Sequence, residues 1–271
     1  MHAESRFNRK RFIQSVIAKP KPHSRKGDNG VLLAIGGSRH IHGAPLLAVR
    51  AAAKIVDIVY FHSPEKSNAN LLRKMREKTA LFIAVDRKGL QKTVEKSDCV
   101  LIGNGLEVNA QNRRLVNGLL KRHPQKRFVL DAGALRVADK RLLRNRIVAP
   151  HAGEFKALFG CEANGKNAKA MAAKWGCVVL LKKGGCFVTD GRRAYSNANG
   201  NAGMTKGGTG DVLAGLCAAL YCRNAAFESA KAAAWVNGRA GDGAFKAQGY
   251  AFDAEDLLVF IPKALKAFGW R

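Results

Sequence analysis

The 271-residue chain has room for one large domain or two small ones, and 47% of it is hydrophobic, an ordinary globular profile. No apolar run approaches the ~18–20 residues of a membrane span, and the basic N-terminus, MHAESRFNRKRFIQSV, lacks the apolar core and cleavage site of a secretory leader. Lys+Arg number 47 against 20 Asp+Glu, a formal net charge of +27, which reads either as a solvated basic surface or as attraction for a polyanion, nucleic acid or phosphate-bearing small molecules alike.

Residues 1–22 are polar and basic, end in KPKP, and read as an arm and linker. Strand-like and helix-like pieces then alternate. VLLAIGG is a buried strand, APLLAVRAAAKIV an Ala-rich helix and IVYFHS a strand. NANLLRKMREKT reads as a helix, ALFIAV as a strand, GLQKTVEKS as a helix and CVLIGNG as a strand. AQNRRLVNGLLKRH is a helix, RFVLDAGAL a strand and loop, and RIVAPHAGEFKALFG a strand, loop and helix. AKAMAAKWG is a helix, CVVLLKKGG a strand, and CFVTDGRRAYSN a hairpin turning at Thr189-Asp190-Gly191. A glycine loop, a long apolar helix, the helix ESAKAAAWVNGRAGDGAFK and a C-terminal helix from Asp253 to about Phe268 complete residues 23–271 as one domain. Such alternation implies a mainly parallel sheet covered on both faces, with ligands beyond the carboxyl ends of the strands. The six cysteines form no CxxC and no zinc spacing, so reduced core thiols and a cytoplasmic setting are expected.

Two nucleotide motifs fail their context. Gly160 to Asn167 nearly spells a P-loop, but Asn167 stands where a hydroxyl should reach the metal, and a helix precedes it instead of a strand. Gly103-Asn104-Gly105 follows a strand but lacks the third glycine of a dinucleotide fingerprint. GNAGMTKGGTGDVLAG (Gly200–Gly215) is stronger: its glycines permit an anion-binding nest of N–H groups, and the helix beginning near Asp211 adds its positive end. Asp211 can then stay ionised beside a transferring group and take a hydroxyl proton; it can equally be a helix N-cap, and both can hold. No RNP, KH or zinc-finger pattern accompanies the charge, and aromatics are only 7%.

The GxGD pattern resembles that of ribokinase-like sugar and vitamin kinases, where an anion hole precedes the catalytic acid. HSRKGDNGVLLAIGGS, GAPLLAVRAA, LIGNGLE, VLDAGAL, APHAGEF, LLKKGG, GNAGMTKGGTGDVLAG and NGRAGD, in this order, together resemble the ADP/ATP-dependent NAD(P)H-hydrate dehydratase family. The resemblance implies a ribokinase-like α/β fold over residues 23–271, with a mainly parallel central sheet and helices on both faces. It implies dehydration of the S epimer of NAD(P)HX through phosphorylation of its C6 hydroxyl, with ADP favoured over ATP as donor and Mg²⁺ on the nucleotide. A vitamin-type kinase of the same fold is the first alternative, and a nucleic-acid-binding protein the second.

By the same resemblance Asp211, Gly208 and Gly210 are catalytic. Ala44, Gly105, His151, Asp131, Asn201 and Asp211 contact the hydrated dinucleotide, and Lys182, Lys183, Gly184, Gly185, Cys186 and Gly210 the adenine nucleotide. Glu154 is a candidate for the metal, or simply an acid favoured at a helix start. The chain departs from the family's GPGLG and NPGM with GNGLE (Gly103–Glu107) and Asn201-Ala202-Gly203-Met204, and Glu107 adds charge near the expected substrate contact. A homotetramer is implied, no membrane association, and epimerisation either by a separate epimerase chain or spontaneously, since 22 residues are too few for an epimerase domain.

Overall fold

The computed structural model describes residues 17–68 and 81–270. Nine strands form one sheet in the order β3-β2-β1-β4-β5-β6-β7-β8-β9. They are β1 (Val31–Ile35), β2 (Ile58–His62), β3 (Ile83–Ala84), β4 (Cys99–Ile102), β5 (Arg127–Leu130), β6 (Ile147–Val148), β7 (Val178–Lys182), β8 (Cys186–Thr189) and β9 (Ala194–Asn197). All pairings from β3 through β7 are parallel, and β8 and β9 add antiparallel. The chain works outward from β1 in one direction and then the other, so the order reverses between β1 and β4, and crevices open beyond the carboxyl ends.

The central strands are apolar on both faces because both are covered. Leu32, Ala34, Leu101, Val129 and Leu180 face one core, and Leu33, Ile35, Val100, Leu130 and Val179 the other. The second core is roofed by α2 (Leu90–Lys96), α3 (Ala110–Arg122), α4 (Gly133–Val137), α5 (Ala152–Phe159) and α6 (Gly165–Trp175), the first by α1 (Gly43–Ala52), α7 (Thr209–Tyr221), α8 (Ala226–Gln248) and α9 (Ala254–Phe268). Helix α7 is apolar nearly all round and accordingly buried, packed between α1 and α8 and against β4 and β5. That packing carries its amino end to the carboxyl ends of those strands.

Most expected elements form. The hairpin turns at residues 190–193, α8 is one 23-residue helix, and Asp253 caps α9. The near-P-loop is the αL cap of α5 at Gly160 followed by the start of α6, whose cap is Asn164. Three expectations differ. ALFIAV shortens to Ile83–Ala84, which among the described residues is an edge strand paired with β2. LDAGAL is not all loop, since Gly133–Val137 forms a short helix after Ala132 at positive φ. At the end of the basic arm Ile17 is buried, and the Ala18 N–H donates to Asn224 Oδ1 at 2.7 Å. The helix expected over NANLLRKMREKT lies, beyond Asn68, outside the described residues, as do residues 1–16.

All six cysteines are free. Burial pushes the Cys177 thiol up to about 12 and that of Cys186 to about 11, as befits inert packing residues. No helix among the described residues is long and apolar enough to cross a membrane.

Candidate active site

Four neighbouring strands each deliver polar groups from their carboxyl ends: Asn104 after β4, Asp131 after β5, His151 and Glu154 after β6, and Lys182 at the end of β7. Helix α7 brings Asp211 to them. Gly103, at φ +127°, makes the junction possible: a Cβ there would overlap the carbonyl oxygen of Asp131. The loops after β4 and β5 therefore touch through backbone.

The glycine loop is held rigidly. Asn201 caps a 3-10 turn, Ala202–Thr205, with Oδ1 accepting from the Gly203 N–H and Nδ2 donating to the Gly241 carbonyl, both at 3.0 Å. The Thr209 hydroxyl donates to the Met204 carbonyl at 2.7 Å, and the Lys206 ammonium donates to those of Tyr250 and Phe252 at 2.6 Å. Gly208 is the N-cap of α7 at φ +94°, and a Cβ would meet Leu47 Cδ1 at 2.5 Å and Ala254 Cβ at 2.8 Å. The N–H groups of Gly207, Gly208, Gly210 and Asp211 find no acceptor among the described residues. They form a ready anion nest at a helix start.

Asp211 is the third residue of α7, not its cap, and its carboxylate is spoken for from outside the helix. Asn104 Nδ2 donates to Asp211 Oδ1 at 2.6 Å and to Asp131 Oδ2 at 3.2 Å. Asp131 Oδ1 accepts from the Lys182 ammonium at 2.6 Å and the Ala132 N–H at 2.9 Å. Asp211 Oδ2 accepts nothing from the described residues. Burial pushes the Asp211 carboxyl up to about 6; Asp131 and Glu154 push the same way, against the Asn104 hydrogen bond and the Lys182 charge. Burial works against the Lys182 cation, but Asp131, Glu154 and Asp211 outweigh it and raise its pKa. A carboxylate that titrates near neutrality, with one free oxygen beside an anion nest, can take a proton from a bound hydroxyl.

His151 caps α5 in a reciprocal box. Its Nδ1 accepts from the Gly153 and Glu154 N–H groups at 3.0 and 3.3 Å, while Glu154 Oε2 accepts from the His151 N–H at 2.9 Å. The proton then sits on Nε2, 3.3 Å from Glu154 Oε1, and the ring is half exposed.

A cleft of about 860 Å³ unites most of the sequence-predicted residues: Asp131, His151, Glu154, Lys182, Lys183, Gly184, Gly185, Cys186, Asn201, Gly208, Gly210 and Asp211. Ala44 and Gly105 are not among its lining. Gly105 is buried beneath Ile41 and Pro45, and Ala44 sits in the first turn of α1. Asn201 spends Oδ1 on the loop itself and Nδ2 on the Gly241 carbonyl of α8. Lys183 donates to the Ala163 carbonyl at 2.8 Å, and Lys182 turns inward to Asp131, its Nζ 3.5 Å from where a Cβ on Gly210 would lie. Two residues stand inside the motifs LIGNGLE and NGRAGD but are not among the predicted site residues. Asn104 is only 2% exposed, and Asn237 of α8 lines the cleft with a buried Oδ1 that no donor among the described residues meets. No group of three His, Cys, Asp or Glu side chains among the described residues could hold a metal ion. Glu154, the metal candidate, already accepts from the His151 N–H in the α5 cap, and Asp131 already pairs with Lys182. Another large concavity, about 750 Å³, lies at the amino ends of the strands between Lys96, Arg122, Lys126 and Arg223, and carries none of the predicted site residues.

A family model described as NAD(P)H-hydrate dehydratase matches residues 32–263. An ADP-dependent (S)-NAD(P)H-hydrate dehydratase of Nitrosopumilus maritimus is 38% identical over 95% of this chain and 96% of its own length. A bifunctional NAD(P)H-hydrate repair enzyme of Methanocaldococcus jannaschii is 36% identical over 93% of this chain, which spans only 51% of that protein. In fold, a ribokinase-like superfamily protein of Enterococcus faecalis superposes with a TM-score of 0.85 at 23% identity, covering 97% of this chain and 95% of that one. The ADP/ATP-dependent NAD(P)H-hydrate dehydratase of Bacillus subtilis, co-crystallized with ATP/Mg²⁺, does so with a TM-score of 0.79 at 22% identity, covering 96% and 97%.

Proposed function

We propose that this chain, which belongs to the NAD(P)H-hydrate dehydratase family, uses an adenine nucleotide to dehydrate the S epimer of NADHX or NADPHX. The observation that carries the reading is one carboxylate, Asp211, with a free oxygen and a pKa of about 6, standing in the first turn of a helix whose N–H groups are open. Asp211 takes the proton of the C6 hydroxyl as that oxygen attacks the terminal phosphorus of the nucleotide. The bond from phosphorus to the bridging oxygen breaks, releasing AMP from ADP or ADP from ATP. The N–H groups of Gly207, Gly208, Gly210 and Asp211 receive the charge that develops on the moving phosphoryl group. Lys182, beside Gly210, adds a cation while keeping Asp131 neutralised. Phosphate is a far better leaving group than hydroxide. The ring-nitrogen lone pair expels it from C6, and loss of a C5 proton restores the dihydronicotinamide.

ADP is the favoured donor, as for the ADP-dependent dehydratase of Nitrosopumilus. Magnesium enters on the nucleotide's own phosphates, and no step above runs through it. A homo-oligomer, a tetramer by the family resemblance, belongs to the same proposal. The test mixes the purified chain with S-NADHX, Mg²⁺ and either ADP or ATP and follows the near-ultraviolet absorbance of reduced nicotinamide. A nucleotide-dependent rise is expected, larger with ADP. No rise with either, or a phosphorylated product that persists, overturns the reading, the second in favour of a kinase.

A further inference from the structure

We propose that Asn104 is a positioning residue for the Asp211 base: its side-chain NH₂, wedged between Asp131 and Asp211, fixes the Asp211 carboxylate through one oxygen and leaves the other for the substrate hydroxyl. The inference deepens the reading above and rests on it.

Asn104 is 2% exposed and not among the residues that line the cleft, so it meets Asp211 from the buried side. Its two N–H bonds serve the two carboxylates, at 2.6 Å to Asp211 and 3.2 Å to Asp131. The amide orientation is forced. Turned over, it would set Oδ1 against two carboxylate oxygens. As it stands, Oδ1 is buried and meets no donor among the described residues, a costly state that side chains seldom adopt without compensation. The residue therefore accepts a poor environment for its oxygen in order to supply both protons of its nitrogen.

Few side chains can do this. A hydroxyl has one proton and serves one carboxylate, aspartate adds a third negative charge, and an apolar residue leaves two buried oxygens facing each other. A cation would donate, but it would also hold Asp211 permanently ionised and weaken it as a base. Asp131 is already paired with Lys182 at 2.6 Å, so a neutral donor joins the two carboxylates without adding a second cation. The other charged and titratable groups around the cleft are His151 and Glu154 from the start of α5, Lys183 and Cys186 from the β7–β8 turn, and Lys206 from the glycine loop. All remain in place when Asn104 is changed.

The test uses the full chain and two variants, Asn104→Leu and Asn104→Ser. The Asp211 carboxyl is titrated by carbon-detected NMR, its signal assigned by its loss in Asp211→Asn, and kcat is measured against pH with S-NADHX and the better donor. A hydrogen bond to a charged group is typically worth ~1–2 pKa units, so Asn104→Leu should raise the Asp211 titration and the acid limb of kcat by that much. A shift of ~1.5 units from about 6 leaves roughly a fourfold smaller ionised fraction near pH 7. That loss should be recovered at alkaline pH, which a merely structural defect does not do. Asn104→Ser should fall between the two. An Asn104→Leu protein that folds, yet titrates and turns over at the wild-type pH, overturns the proposal. If it does not fold, Asn104→Ser decides, and an unmoved titration there has the same force. A wild type without dehydratase activity defeats the proposed function, while the NMR titration still decides what Asn104 does to Asp211.

Discussion

Replacing Asp211 with asparagine should make the protein more stable and nearly inactive. The carboxyl is pushed from 3.8 to about 6 by burial, so the folded state holds its proton more tightly than the unfolded chain does. Below the unfolded value both states are protonated and nothing is lost. As pH rises through the window from 3.8 to about 6, ionisation is resisted in the fold but not outside it, and stability falls. Above that window the penalty is complete. About two units at ~1.4 kcal/mol each give roughly 3 kcal/mol. Asparagine keeps the size and can still accept from Asn104, but does not ionise, so most of that energy should return. For a chain of this size ~2–4 °C accompanies each kcal/mol, and the melting temperature should rise by roughly 6–10 °C at neutral pH. The assay is thermal unfolding of wild type and Asp211→Asn across the pH range at one protein concentration. The gain should be full above the Asp211 titration and should vanish at the acid end, while turnover drops by ~10²–10⁴. A variant no more stable than wild type at neutral pH, or a gain equal at both ends of the range, would refute the electrostatic argument. An active variant would refute the base.

Three further outcomes follow from the geometry. Lys182→Met strands the buried Asp131 carboxylate and should cost ~3–5 kcal/mol in urea unfolding, and Asp131→Asn in the same chain should recover part of it. The two loop glycines should part company: Gly208→Ala drives a Cβ into Leu47 and Ala254 at positive φ and should cost more than ~2 kcal/mol, whereas Gly210→Ala lies on a helix with its Cβ 3.5 Å from Lys182 Nζ and should fold normally but bind nucleotide poorly. Equal melting temperatures for the two would contradict this. His151→Ala should lose ~1 kcal/mol of helix capping and raise KM for the hydrated dinucleotide more than it lowers kcat; an unchanged KM would reduce His151 to its cap.

What could be read along the chain was local, and what escaped was made by strand order. Glycines followed at once by an acid and an apolar run reveal Asp211 on a helix start without any fold. Alternating periodicities reveal a covered parallel sheet. Neither reveals that β4, β5, β6 and β7 lie side by side, and it is that adjacency which sets Asn104 against Asp211, a partner 107 positions away, and Lys182 against Asp131, 51 away. Lys182 therefore looked like a strand-end lysine for the nucleotide and is first a counter-ion. Ala44 and Gly105 stood on resemblance alone, and the cleft does not include them. A usable signal for Asn104 was nonetheless present: a polar side chain between two glycines directly after a fully buried strand sits where no solvent can satisfy it, so a partner must come from another loop. The cleft so assembled sets three carboxylates, Asp131, Glu154 and Asp211, against three ammonium groups, Lys182, Lys183 and Lys206. Both proposed substrates are polyanions, and the lining itself offers no excess of positive charge. Their attraction must come from the open N–H groups of the glycine loop and from the +27 charge of the whole chain, which acts at long range and falls away with salt. The balanced cleft and the basic surface thus divide the work: burial and the neighbouring carboxylates raise the Asp211 titration, and the surface gathers the phosphates.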